Sequence, residues 1–486
     1  MTPSLKNFYE YLTEYVAEAP DRKMLGAPGR WLTAGEVLAR VTAAAAFFRR
    51  QGIRPGGLVA LRAERSLEGV LVLLGLRLAG AVVALTDPRS AVEPFLERSA
   101  VPIPAEAVAE PAGDGRFLFS FGGDAVRFDP LSLPPEDFPV PRYDGREAGF
   151  LIFTSGSTGR YKAVQLSEYN LVNNLVDSQP LGLYAQDDIA LGALPLDHVF
   201  GLVLLAGTIV LRYALYFPDK TDVPSLLDAI EGERITRMNG VPSLYLALAE
   251  QGKGRDLSSL RAGFIGGGPV TAEQFCRIEA ALGMTLISVY GMSECIGVSC
   301  ASFRDPQAVR AGGVGPFYSM NTGRILRSDG SEAEVGEAGE ICVDGPARMV
   351  GYYGDQAPRE ELFHTGDLGY VDAAGVLHLT GRLKDIIIRS GINLSAARIE
   401  AALLSLEGVK AAAVVGLPHP QYGEVPYAMV VLGENAPGDL TAALAPLLAK
   451  NELPAGVLTA DALPMTRSGK PDKQTIREVL AQWANG

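Results

Sequence analysis

Cysteine is scarce: Cys276, Cys295, Cys300 and Cys342 are the only four in 486 residues, and no two form a Cys-x-x-Cys pair. That spacing excludes the linear zinc motifs and argues against an extracellular disulfide framework, so a reducing, cytoplasmic setting is expected. Long apolar runs are missing as well. The longest, such as residues 201–211, fall far short of the ~20 residues that span a bilayer. The N-terminus carries Lys6 and Glu10 early and has no apolar stretch, which argues against a secretory leader. A basic excess is absent too. Lys and Arg number 43 against 56 Asp and Glu, a net charge of −13, so non-specific nucleic-acid binding is not expected. An anionic ligand would have to be held by local cations and backbone N–H groups. Internal repeats and low-complexity tracts are also lacking.

What is present is the composition of a folded protein, 48% hydrophobic and 20% charged. The length exceeds a single compact core and predicts two to four core units. Over the first ~85 residues, helical spacing alternates with short apolar strands: a helix over 32–51, a strand over 58–61, a helix over 67–78 and a strand over 81–85. This order predicts βαβ units and a largely parallel sheet. Residues 101–146, rich in Pro, Gly and acids, read as loops and edge strands. An apolar strand over 149–154 runs into a Gly/Ser loop. Strand-then-helix units are then expected at 189–195, 237–242, 263–268 and 286–290. From about Gly312, turn signals recur between short apolar runs and predict a smaller antiparallel, β-barrel-like unit. The tail reads as α+β, with helices over 396–406 and 440–451 and strands near 409–415 and 426–432. The expected fold is α/β in several subdomains. It has a large domain of mixed and parallel sheets flanked by helices over 1–380, a linker over 381–385, and a small, mobile α+β domain over 386–486.

The loop after the 149–154 strand is Thr154-Ser155-Gly156-Ser157-Thr158-Gly159-Arg160-Tyr161-Lys162. Two glycines allow a tight turn that aims N–H groups at an anion, four hydroxyls add donors, and Lys162 adds charge. The combination suits a polyphosphate. It is not the P-loop, which needs four residues between its glycines and Lys directly after the second. Alone, it is also compatible with an ordinary Ser/Gly turn.

This loop resembles the nucleotide-binding signature of the acyl-adenylate-forming enzymes: acyl-CoA synthetases, adenylation domains of peptide synthetases, and luciferases. The family's usual Lys-Gly-Val is here Lys162-Ala163-Val164. The likeness covers roughly residues 30–480, with its motifs in family order. Leu194 to Leu202 is similar to the acid-site motif, and places His198 to guide a carboxylate or gate the acyl pocket. Gly266-Gly267-Gly268-Pro269 would let a flat base approach the backbone. In Tyr290-Gly291-Met292-Ser293-Glu294 the resemblance implies adenine stacking by Tyr290, an α-phosphate bond from Ser293, and Mg²⁺ held by Glu294. Residues 339–346 and 351–353 match a stretch to which no chemistry is assigned. In the segment 363–369, Asp367 would accept both ribose hydroxyls. Arg382 would bond ribose or phosphate, and Lys384 occupies the hinge position. Lys470, in Thr466-Arg467-Ser468-Gly469-Lys470, would reach the active site in the first half-reaction. Gly391 resembles a residue lining the thiol tunnel, although Ala396 and Arg398 replace the Pro and Glu usual just after it.

The resemblance implies ATP-dependent activation of a carboxylic acid to an acyl-adenylate, with Lys470, His198 and Glu294 as the catalytic set, followed by transfer to the thiol of coenzyme A. The acid would be fatty or aryl. Asp197, which precedes His198, leaves amino acids open. One alternative is a stand-alone ligase loading the phosphopantetheine of an acyl carrier protein. A non-catalytic nucleotide-binding scaffold and a luciferase-like oxygenase share the fold. Retention of Lys162, Glu294, Asp367, Arg382 and Lys470 argues against the scaffold, and oxygen-dependent light or product would reveal the oxygenase.

Overall fold

The structure is a computed structural model that describes residues 2–485, apart from 137, 139–143, 156–159, 357–358 and 467–469, and apart from the side chains of Ser155 and Asn485. Two eight-stranded sheets form the larger part. In the first, strands Lys23–Ala27, Ala214–Tyr216, Ile189–Leu191, Arg237–Gly240, Ala262–Ile265 and Thr285–Met292 lie side by side, all in parallel. Antiparallel strands Arg30–Thr33 and Ile296–Cys300 close its two edges. In the second, strands Ala148–Ser155, Val82–Thr86, Leu58–Arg62 and Ala107–Gly113 pair in parallel. The predicted edge strands are here, as the antiparallel Arg116–Phe121 and Asp124–Phe128.

The local patterns account for these elements. Helix Leu67–Leu78 begins at Ser66, whose side chain accepts from Gly69 N, and is buried along its whole length except at Glu68. Helix Ala34–Arg50 starts with a capping box made by Thr33 and Glu36. Its alanine-rich face packs on Leu67–Leu78: a Cβ at Gly75 would stand 2.5 Å from that of Ala44. A buried salt bridge, Arg77 to Glu168 at 3.1 Å, ties this helix to the one that follows the Gly/Ser loop.

Three expectations are corrected. The barrel-like unit is a four-stranded antiparallel sheet, Thr322–Leu326, Gly339–Asp344, Phe363–Val371 and Leu377–Arg382, with no closed barrel shown. The segment 286–290 does not lead into a helix: strand Thr285–Met292 turns back into Ile296–Cys300. Gly291 permits that tight return, since a Cβ there would stand 1.9 Å from Ile296 O. The helix expected over 440–451 stops at Leu440–Leu444, because Pro446 supplies no N–H to continue the hydrogen-bond ladder, although Ala445 before it keeps helical dihedrals.

Residues after Leu383–Asp385, a single 3-10 turn, build a separate five-stranded sheet with its own core around Ile387, Ile399, Leu403, Val414 and Val430. No helix among the described residues is long and apolar enough to cross a membrane.

Candidate functional site

Open parallel sheets place ligands beyond the carboxyl ends of their strands, and the sequence motifs lie there. His198 follows strand Ile189–Leu191, Gly266–Gly268 follow Ala262–Ile265, and Tyr290 to Glu294 end the next strand. Ile265 pairs with Ser288, which sets the three glycines beside Tyr290. Gly267 has φ +77° and, with Gly268, is exposed.

The antiparallel sheet adds its residues from the side. Asp367 and Arg382 are cross-strand partners, and Arg382 Nε lies 2.6 Å from Asp367 Oδ1. Tyr290 donates its hydroxyl to Asp367 Oδ2 at 2.7 Å. Its ring is buried beside Cys295, Ile341 and Leu377, and burial, then the Asp367 charge, pushes its hydroxyl well above the usual phenol range. Ser293 is buried next to Glu294.

The Gly/Ser loop closes a hairpin between Ala148–Ser155 and Tyr161–Ser167, with Thr154 opposite Lys162. Gly156, Ser157, Thr158 and Gly159 lie outside the described residues, as does the Ser155 side chain. Lys162 is exposed, with its ammonium 4.8 Å from the centre of the Tyr352 ring. Tyr352 in turn donates its hydroxyl to Glu294 Oε1 at 2.9 Å.

Tyr352 therefore joins the loop cation to the acidic end of the site, a role that sequence reasoning missed. Its signal was available in Gly351-Tyr352, but the partners are 190 and 58 residues away (Lys162 and Glu294), and only the pairing of Gly351–Tyr352 with Tyr161–Ser167 brings them in. Tyr352→Phe keeps the ring under Lys162 and removes a hydrogen bond to a carboxylate. Such bonds contribute ~1.5–3 kcal/mol, reduced here by partial exposure. ATP kcat/KM is expected to fall about tenfold, and a change under twofold would remove the role.

Lys470 arrives from the small sheet's side. Thr466 N donates to Lys470 O at 2.7 Å, and Lys470 N to Thr466 Oγ1 at 3.2 Å, pinching the base of its loop. Arg467, Ser468 and Gly469 are outside the described residues. The side chain is half-buried, and desolvation, followed by the Arg382 charge, lowers its pKa. Asp367 and Glu294 act in the opposite sense. Lys470 thus lies within electrostatic range of Arg382, Asp367 and Glu294, groups 88 to 176 residues away in the chain.

Its charge also reaches His198. This residue caps helix Val199–Val210, with Nδ1 accepting from Phe200 N at 3.5 Å, so in the neutral ring the proton sits on Nε2. Burial first, and Lys470 second, lower the His198 pKa to about 4. Its folded value is below the unfolded value of about 6.5, so unfolding takes up a proton between those pH values. Stability therefore rises with pH from about 4 to 6.5 on account of this residue. The expected NMR result is a His198 imidazole that does not titrate between about pH 5.5 and 8, and a midpoint near 6.5 would contradict its burial.

Of the two remaining expected residues, Gly391 stands apart, whereas Lys384 is close enough for its charge to act on Lys470. Lys384 lies in the 3-10 turn, between Arg382, held by Asp367, and Asp385, held by Lys473 Nζ at 3.2 Å. Gly391, with φ +77°, forms an exposed turn between strands Ile386–Arg389 and Ile392–Ser395. A Cβ there would meet nothing within 4 Å, so this turn is not packed against the Lys470 cluster.

Comparison with known proteins bears on this arrangement. The AMP-binding enzyme family matches residues 12–353, and the AMP-binding enzyme C-terminal domain matches 398–470. A feruloyl-CoA synthase of an Amycolatopsis species is 36% identical over 476 residues, 92% of this chain and 94% of that protein. Among solved structures, ATP-bound MatB from Rhodopseudomonas palustris superposes with a TM-score of 0.87 at 26% identity, covering 98% of this chain and 99% of that one. The o-succinylbenzoate CoA synthetase MenE from Bacillus subtilis, in complex with its acyl-adenylate intermediate, gives 0.83 at 26% identity, covering 99% and 98%.

Proposed function

The chain belongs to the AMP-binding enzyme family, and from that premise we propose that it is an acid–CoA ligase that forms AMP. It joins a carboxylic acid to ATP as an acyl-adenylate with release of pyrophosphate, then passes the acyl group to the thiol of coenzyme A. The observation that carries this reading is the cluster of Tyr290, Asp367 and Arg382, with Glu294 held by Tyr352 and with Lys470, from the side of the separately cored small sheet, within electrostatic range of it.

In the first step the acid's carboxylate oxygen attacks the α-phosphorus and the bond to pyrophosphate breaks. Two anions must approach, so the task is neutralisation and alignment, and no protein nucleophile is required. Lys470 bridges the carboxylate and the α-phosphate, Ser293 bonds the α-phosphate, and the Thr154–Lys162 loop holds the departing phosphates. Asp367 and Arg382 hold the ribose, with the adenine against Gly267, Gly268 and Tyr290. Glu294 offers hard carboxylate oxygens, with Tyr352 on Oε1 and Oε2 left as an acceptor, which fits Mg²⁺. When bound there, Mg²⁺ would neutralise phosphate charge. Neutral His198 directs the acid by hydrogen bonding rather than by charge.

In the second step the thiol attacks the acyl carbon and AMP leaves. We assign to Lys384 the dihedral change that withdraws Lys470 and brings the Gly391 turn to the site. The position of Lys384 between two residues anchored on opposite sides supports this. The similar feruloyl-CoA synthase and o-succinylbenzoate CoA synthetase favour an aryl acid as substrate, and the need for ATP and coenzyme A favours a cytoplasmic location.

The test is acid-dependent ATP–pyrophosphate exchange over aryl, graded aliphatic and amino acids, followed by product analysis with coenzyme A against a carrier protein. Exchange with an aryl acid and an acyl-CoA product are expected. Failure of every acid would refute the reading, and exclusive loading of the carrier would move the acceptor to phosphopantetheine on a protein.

A further inference from the structure

We propose that Glu340, Cys342 and His364 form a binding site for a thiolate-preferring divalent cation of the zinc class, mechanically coupled to Asp367. The three ligand atoms all lie within 4.8 Å of one another. Glu340 and Cys342, two apart on strand Gly339–Asp344, share a face, because strand side chains alternate. His364 is the register partner of Cys342 on the neighbouring strand. His364 Nδ1 is 2.8 Å from Glu340 Oε2 and 3.4 Å from Cys342 Sγ. Around a tetrahedral zinc ion, bonds of ~2.0–2.3 Å put ligand atoms roughly 3.3–3.7 Å apart, so small side-chain shifts suffice.

The donor set selects the metal. Thiolate and imidazole favour zinc-like ions over magnesium, and three protein ligands leave a fourth position open. A cavity of about 290 Å³, lined by His364, Glu360, Glu361 and Arg324, gives access. Arg324 faces Cys342 from the next strand and opposes a cation, but Glu340, Glu360 and Glu361 outnumber it. Binding would release the Cys342 thiol proton to solvent. Only one of the three ligands is a cysteine and His364 lies on another strand, which is why a search for Cys-x-x-Cys spacing passes over them.

Coupling follows from the ladder. Glu340 pairs with Leu368 and Cys342 with His364, so a bulge falls at Thr365, Gly366 and Asp367. Glu340 Oε1 accepts from Gly366 N at 3.0 Å, and Thr365 donates to Ile341 O at 2.7 Å. A cation fixing Glu340 and His364 would clamp the bulge that aims Asp367 at Tyr290 and Arg382. The cation site does not depend on the proposed activity, whereas its coupling to ATP does.

The probe is Co²⁺ added to the chelator-treated full chain. The expected result is one equivalent bound, with near-ultraviolet thiolate-to-cobalt absorption that persists in Cys295→Ser and is lost in Cys342→Ser. His364→Gln, at a half-exposed position, should weaken binding at least tenfold. An oxygen-only site at Glu294 is silent in this band. Absence of the band, or its survival in Cys342→Ser, overturns the site. With Co²⁺ or Zn²⁺ bound, ATP should bind about fivefold tighter in wild type and unchanged in His364→Gln. A change under twofold in wild type overturns the coupling while leaving the site.

Discussion

Lys470→Ala should lower acid-dependent ATP–pyrophosphate exchange by ~10²–10³ or more, while supplied acyl-adenylate still binds and still reacts with coenzyme A. The expectation rests on where the lysine sits. Its half-buried amine lies within electrostatic range of Arg382, Asp367, Glu294 and His198, and desolvation there lowers its pKa. Without substrates the amine is costly to keep charged, and two bound anions reverse that balance. An incoming carboxylate and an α-phosphate both stabilise the ammonium, which in turn stabilises the charge that accumulates between them. A water molecule in its place would have to reorganise during the reaction. The loss should fall on the first half-reaction only, because attack of a thiol on an adenylate needs no cation between two anions. Near-normal exchange in the variant would sink the assignment. A matched loss in both half-reactions would show damage to folding or binding instead.

Asp367→Ala is the second large effect, and it combines stability with affinity. The carboxylate accepts from buried Tyr290 at 2.7 Å and pairs with Arg382 at 2.6 Å. Its removal leaves the phenol without its acceptor, at ~1–3 kcal/mol. It also leaves Arg382 without its counter-charge, a smaller loss because that side chain is 42% exposed. The ribose loses charge-assisted hydrogen bonds of ~1.5–3 kcal/mol, or roughly 10- to 100-fold in ATP affinity. Expected together are a lowered melting temperature and a raised KM for ATP, with Asp367→Asn intermediate in both. A normal KM for ATP at unchanged melting temperature would assign Asp367 no part in the site.

Local order was legible where the chain's own period decides it. The helix expected over 67–78 is Leu67–Leu78 because its burial follows directly from its apolar run. The strand expected over 149–154 lies within Ala148–Ser155 for the same reason, whereas its antiparallel return, Tyr161–Ser167, was not anticipated. Expectations failed where a neighbour decided. Whether the chain after Tyr290 would coil or return depended on Gly291 sitting against Ile296 O. The length of the last predicted helix depended on Pro446, which the apolar count overlooked.

The site divides the same way. The sequence, through its resemblance to the adenylate-forming enzymes, singled out Glu294, Asp367, Arg382 and Lys470 as the expected site. It could not determine that the Lys470 charge reaches His198, that Tyr352 links Lys162 to Glu294, or that Cys342 meets His364 and Glu340. Those contacts span 2 to 272 residues of chain and are set by strand register and by how the small sheet docks. The physical reason is that side-chain periodicity is written into each segment, whereas a register or a docking angle is chosen by the summed packing of segments that carry no local record of one another.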